Sequence, residues 1–209
     1  LDDTDDDTDD ETELVAAVQV KVTGAPSYTT DQLSQALEAA QEAARALAAG
    51  SLEDPRTKQA KGNAYRAFAK LAETLVYATP VDDDDSDELA QHRRAAHSLV
   101  RDMTRDAASR SDIGRIGDLW LRSARRDNNG ALVVGKVQEI EKEGEFFATR
   151  LVLIGDGQIV TVLTAQMPEW KSDDTTVVLG AIVDDPASKL SGYDGGAPRA
   201  IVANLALKP

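Results

Sequence analysis

Reactive chemistry in a protein needs a nucleophile with a base in reach, an acid–base pair or a metal ion, and few residues of this 209-residue chain supply one. It contains no cysteine and two histidines, His92 and His97. Thiolate nucleophiles, disulfides and cysteine metal sites are therefore absent. Residues five apart on a helix point about 140° away from each other, which disfavours a metal ion shared by the two histidines. His92 falls beside Leu89 and Ala96, where a packed or hydrogen-bonded imidazole is the expectation. No nucleophile elbow, phosphate loop or dinucleotide fingerprint occurs. Gly155, Asp156 and Gly157 read as a hairpin turn, because no helix follows them to complete a phosphate site. Asp184 and Asp185, in "VDDP" at a strand end, have the carboxylates of a hydrolase or a cation site. Lacking a third group, they read as turn residues. The expectation is a chain with no catalytic residue, no metal site and no cofactor.

Binding chemistry is better represented. Arg94, Arg101 and Arg105 stand at i, i+7 and i+11, and Arg115, Arg122 and Arg126 repeat that spacing. Like charges at i, i+4 cost an isolated helix a few tenths of a kcal/mol each, on the order of 0.2–0.5. Three readings are open. The stripes form an anion surface, or they are solvated faces paired with Asp102, Asp106 and Asp118, or they receive the acidic N-terminal segment, a contact that salt would weaken. The second is favoured, since surface pairs of this kind are common and weak.

Charge is unevenly spread. Residues 1–27 carry nine acidic groups and one lysine, whereas residues 28–127 carry seventeen acidic against fifteen basic groups. More than half of the net charge of -14 therefore sits in one segment, and the overall charge describes neither folded part. The run "DDTDDDTDDETE", Asp2 to Glu13, has nothing apolar to bury, and repulsion is expected to keep it solvated. Its aspartate spacing is that of a calcium loop, but the glycine needed at the sharp turn is missing. No apolar run approaches the roughly 20 residues of a membrane span. The start at Leu1 points to a removed leader, with export favoured over trimming of a cytosolic protein.

The elements that must position these residues follow from periodicity. Val18, Val20 and Val22 alternate as a short strand does. Thr29 and Gln32 form a capping box ahead of Leu33, Ala36, Leu37, Ala40, Ala44 and Leu47, with Gly50 as the stop. Asp54 and Pro55 open a second helix that buries Ala60, Ala64, Phe68, Leu71, Ala72 and Leu75. The carboxylates of "DDDDSDE" start a third helix, where they offset the positive end of the helix dipole; it buries Leu89, Ala96, Leu99, Val100 and Met103. Ser111 or Asp112 caps a fourth that carries Ile113, Ile116 and Trp120. After Gly130 the period is that of strands. The first, through Val133, Gly135, Val137 and Ile140, changes spacing as a bulge does. A second runs through Phe147, Thr149, Leu151 and Leu153, and a third through Ile159 to Leu163. "QMPEWKSDD" holds a helical turn, Val177 to Val183 form a fourth strand, a long loop follows, and Ile201 to Leu207 form the fifth.

The fold class is accordingly α+β: an acidic tail (1–13), a short strand and turn (14–27), a helical bundle (28–127) and a five-stranded barrel (130–209). The barrel resembles the OB-fold through "VVGKVQEI" as a bent, glycine-bearing first strand, "VVLGAIV" as the fourth, and three strands followed by a connection and two more. That resemblance implies a ligand surface on strands two and three and on the loops joining strands one to two and four to five. Phe146, Phe147, Arg150, Trp170 and Tyr193 fall on or near it. The leading expectation is a non-enzymatic binding or adaptor protein whose partner is another protein. The alternative is a binder of single-stranded nucleic acid using these rings and the six helix arginines. Against it, Arg150 is almost the only basic residue on the expected binding strands.

Overall fold

A computed structural model describes residues 21–49, 55–81, 83–109, 129–154 and 157–209, with side chains at 21–47, 62–81, 85–106, 129–154 and 157–209. Asp2–Glu13, Val18, Val20, the stop at Gly50, the cap at Asp54, the side chain of Ala60 and the fourth helix with Arg115, Arg122 and Arg126 lie outside the described residues.

Three helices come first: α1 (Thr30–Ala49), α2 (Pro55–Tyr77) and α3 (Asp83–Ser109). The start of α1 has the reciprocal bonds of a capping box. The backbone N–H of Thr29 donates to Gln32 Oε1 at 2.9 Å, and that of Gln32 donates to Thr29 Oγ1 at 3.3 Å. Its apolar stripe is buried at Leu33, Ala36, Leu37 and Ala40. Proline opens α2, as its fixed φ and missing N–H favour. The Asp85 carboxylate sits in the first turn of α3, where the nearby Thr30 hydroxyl and a bond from the Val81 backbone N–H hold it below the usual carboxylate range.

The strands are β1 (Gly130–Glu143), β2 (Phe146–Leu153), β3 (Ile159–Thr164), β4 (Thr175–Asp184) and β5 (Arg199–Leu207). They close a barrel in the order β1-β2-β3-β5-β4, consistent with an OB-like fold. Long β1 serves two neighbours. Gly130–Lys136 pair with β4 and Gly135–Glu143 with β2, and the register shifts between Val137 and Glu139, the bulge that the spacing predicts. All neighbours are antiparallel except β3 and β5, which close the barrel in parallel through Val162↔Ile201 and Leu163↔Val202. Val133, Val137, Leu151, Val162, Val178, Ile201 and Trp170 fill the interior.

Two local expectations change. The segment "QMPEWKSDD" holds no helical turn; it tightens through Lys171–Asp174, with Asp173 at φ 71°. The helical turn is instead Pro186–Lys189, inside the stretch expected to be loop. Proline at the first position favours it there.

Helices and barrel share one core. Phe68, Leu71 and Leu75 of α2 pack with Leu132 and Val134 of β1, Val177 and Leu179 of β4, and Leu205 and Leu207 of β5. Fully burying such a side chain stabilises by about 1.5–3 kcal/mol. The approach is close: a Cβ on Gly130 would lie 1.7 Å from the Ala69 carbonyl oxygen. Overpacking costs about 1–3 kcal/mol, so Gly130→Ala is expected to lower unfolding stability by at least that much. Gly62 stands on α2 with nothing within 4 Å of an added Cβ, and Gly62→Ala is expected to raise stability by about 0.4–1 kcal/mol. Urea unfolding of the two variants checks both signs.

Candidate functional site

The loop end of the barrel is built from the tight β1–β2 hairpin and the segment 185–198 between β4 and β5. Gly144, at φ 63°, makes the hairpin turn. The Glu145 N–H donates to the Gly192 carbonyl at 2.7 Å, and a Cβ on Gly144 would lie 1.9 Å from that oxygen. The two loops that the resemblance assigns to a ligand therefore touch each other. Their rings are packed against each other under the 185–198 segment: Phe146, on the outward side of β2, and Tyr193 are each 5% exposed and meet edge to face at 6.1 Å. Leu163, Leu190, Val183 and Val202 complete this cluster. Burial, with the Glu143 carboxylate beside it, pushes the Tyr193 phenol up to about 12.

Trp170 is 6% exposed, and its Nε1–H donates to Thr149 Oγ1 at 3.2 Å. It closes the barrel interior. Phe147 is half-buried, paired in register with Thr164 and Lys142. Of the four candidate rings, three are thus packed away from solvent.

Arg150 stands on the outer face of β2. Its guanidinium reaches Glu139 at 3.4 Å and Glu141 at 3.9 Å across β1. All three side chains are about half exposed, so each pair contributes at most about 1 kcal/mol, but together they leave no surplus positive charge there. Next along β2 is Val152, which pairs with Ile159 of β3. Ile159 is 59% exposed. The open part of the outer face of β1, β2 and β3 is thus an apolar step beside a neutralised charge cluster, and Phe146, Ala148 and Leu163 farther along it are covered by Leu190 and Tyr193.

On α3, Arg94 and Arg105 are exposed and Arg101 is half-buried. Neither they nor Arg93 form an ion pair among the described residues, and the expected pairing with Asp102 is not seen there. Arg93, which the spacing does not single out, donates from Nη2 to the Ala78 carbonyl at 2.8 Å. The packed histidine is His97, 3% exposed, with Nε2 2.7 Å from Asn204 Oδ1 on β5. His92 is only half-buried. At 100° per residue, His92 and His97 flank the Leu89, Ala96 and Val100 face by about 60° and about 80°. The sequence cannot choose between flanks of similar angle; β5 covers the one that carries His97.

At the junction of helices and barrel, Val22–Pro26, Tyr77, Asn129, Ile182–Asp184 and Lys189 line a cleft of about 90 Å³. Val22 bridges to Leu190, and the Thr23 N–H donates to the Lys189 carbonyl at 2.9 Å. Burial, with Glu73 and Tyr28 nearby, pushes the Tyr77 phenol up to about 12. The cleft brings together no nucleophile and base. Asp184 is held by Arg199, Asp185 precedes the Pro186 turn at φ 51°, and no group of three or more metal-ligating side chains occurs among the described residues.

His97 gives a pH test. Burial lowers its proton affinity, the Asn204 bond opposes that, and Arg101 and Arg93 reinforce it. The unfolded chain then binds the proton more readily than the folded one. Stability is fully present above the ordinary histidine value of about 6.5 and declines as pH falls toward the folded value. One proton contributes at most about 1.4 kcal/mol per pH unit. Melting curves between about pH 7.5 and 5 are expected to fall less steeply with pH for His97→Gln than for the unaltered chain; equal slopes would contradict this assignment. Compared with known proteins, the chain matches no family model and no curated relative.

Proposed function

We propose that this chain is a non-enzymatic binding or adaptor protein that engages a protein partner through its OB-like barrel and the adjoining helices. One observation carries the reading: the 185–198 segment covers the outer side of the barrel at Phe146, Ala148 and Leu163 and α2 covers its β1–β4–β5 flank, while the Arg150–Val152–Ile159 part of the outer β1–β2–β3 face stays open. That face offers what protein interfaces use, an apolar centre at Val152 and Ile159 with a charged rim at Glu139, Glu141 and Arg150. The acidic balance of the barrel, eleven acidic against seven basic groups over residues 128–209, favours a partner with a neutral or basic surface.

Binding of single-stranded nucleic acid has less support. Base stacking, worth about 1–3 kcal/mol per base, needs exposed ring faces, and Phe146, Trp170 and Tyr193 present none. Arg150 is neutralised by two carboxylates, and phosphate binding needs uncompensated charge. Asp184 is held by Arg199 and Asp185 precedes the Pro186 turn, which gives hydrolysis less support.

The test pairs two measurements on the full chain. Fluorescence anisotropy with labelled single-stranded DNA and RNA is expected to detect no salt-sensitive binding; affinity that falls as salt rises would move the nucleic-acid reading to the front. A protein captured by the immobilised chain is expected to lose about tenfold or more in affinity, about 1.4 kcal/mol, for Ile159→Lys. Unchanged affinity in that variant would remove this face from the reading.

A further inference from the structure

From Arg93 to Asp106 the charges of α3 are segregated by side, although Asp87, two turns earlier, falls on the arginine side. Taking Arg93 as the origin and 100° per residue, His97 falls at about 40°, Arg101 at about 80°, Arg94 at about 100° and Arg105 at about 120°. Asp102 and Asp106 fall at about 180° and about 220°, on the far side. Five nitrogen-bearing side chains thus share a stripe about 18 Å long, at 1.5 Å rise per residue. Its edge lies against the barrel at His97 and Asn204. None of the four arginines is ion-paired among the described residues, although Arg150, Arg199, Lys70 and Lys208 all are. Burial lowers the proton affinity of Arg93, and no carboxylate counteracts it.

This stripe also sits beside the place where the N-terminal segment joins the fold. Val22 bridges to Leu190 and lines the cleft with Tyr77. Six residues later Tyr28 bridges to Ala78, whose carbonyl accepts from Arg93. From Val22 back to Glu13 is nine residues, at most about 30 Å of chain. Together with the length of Asp2–Glu13 itself, that is enough chain to reach the Arg93 end of the stripe. Asp2–Glu13 contains nine carboxylates and no basic residue. A short tether also raises its local concentration to the millimolar range, on the order of 1 mM, far above that of a free acidic partner.

We propose that the Arg93–Arg105 stripe of α3 is the intramolecular docking site of the acidic segment Asp2–Glu13, which shields it from other anionic ligands. The contact is electrostatic, so it forms at low ionic strength and releases as salt shortens the screening length. It is independent of the outer β1–β2–β3 face.

The test is paramagnetic relaxation enhancement on the full chain. With no native cysteine, Thr8→Cys takes a single nitroxide. At about 0.01 M salt, where the screening length is about 30 Å, amide signals of Arg93–Arg105 are expected to lose intensity relative to those of β4. At about 1 M, where it is about 3 Å, the intensity returns. It also returns at low salt in Arg94→Gln/Arg101→Gln/Arg105→Gln, and when the seven aspartates of residues 2–10 are replaced by asparagine, a change that leaves α3 unaltered. Three outcomes would overturn the proposal: no loss at low salt, loss that persists in both variants, or loss that appears on unlabelled isotopic copies mixed with nitroxide-bearing ones, which would place the contact between molecules.

Discussion

Helix α2 runs so close to the start of β1 that one methyl group on Gly130 would strike the Ala69 carbonyl. Much of the architecture depends on that approach. It brings Phe68, Leu71 and Leu75 onto the outer side of β1, β4 and β5, so helices and barrel bury one apolar surface together. It also fixes which parts of the barrel remain available. A closed sheet removes the usual hazard of unpaired edges, and the helical layer then withdraws one of its outer faces from solvent.

The loop end is withdrawn by a second close approach, that of the Gly144 turn to Gly192. In the general OB pattern this is where ligands enter. Here the chain has placed its own Phe146 and Tyr193 there. An aromatic ring buried by its own loop contributes to stability, and using it for a ligand would require breaking that packing. Exposed surfaces among the described residues include the Arg150–Val152–Ile159 part of the outer β1–β2–β3 face and the arginine side of α3, where no arginine is ion-paired among those residues. The first has apolar contact area with balanced charge and the second carries positive charge, so the two suit different kinds of partner.

Local physics was legible in the sequence. Thr29 and Gln32 specified a helix start through a bond pattern that depends on residues three apart, and the changed spacing between Val137 and Ile140 specified a bulge. The barrel strands followed from alternation. Less legible was everything that depends on which remote element covers a given face. Alternation implies that Phe146 and Phe147 point to opposite sides of β2, but not that the 185–198 loop covers the outward one. Periodicity placed His92 and His97 on the two flanks of one apolar face, and only the position of β5 distinguishes them. The pairing of Arg150 with Glu139 and Glu141 required the β1–β2 register, which the bulge displaces.

Whether the barrel's aromatic rings can meet a ligand depends on the loop end being sealed by its own chain. Hydroxyl-radical footprinting of the full chain, normalised to its rate in denaturant, reads that directly. Met167, 69% exposed, is expected to be modified nearly as fast as in the unfolded chain, while Phe146, Tyr193 and Trp170, each no more than 6% exposed, are protected. Modification of Phe146 and Tyr193 at rates near that of Met167 would mean that the 185–198 loop stands open, and the aromatic surface would return as the place where this protein meets its ligand.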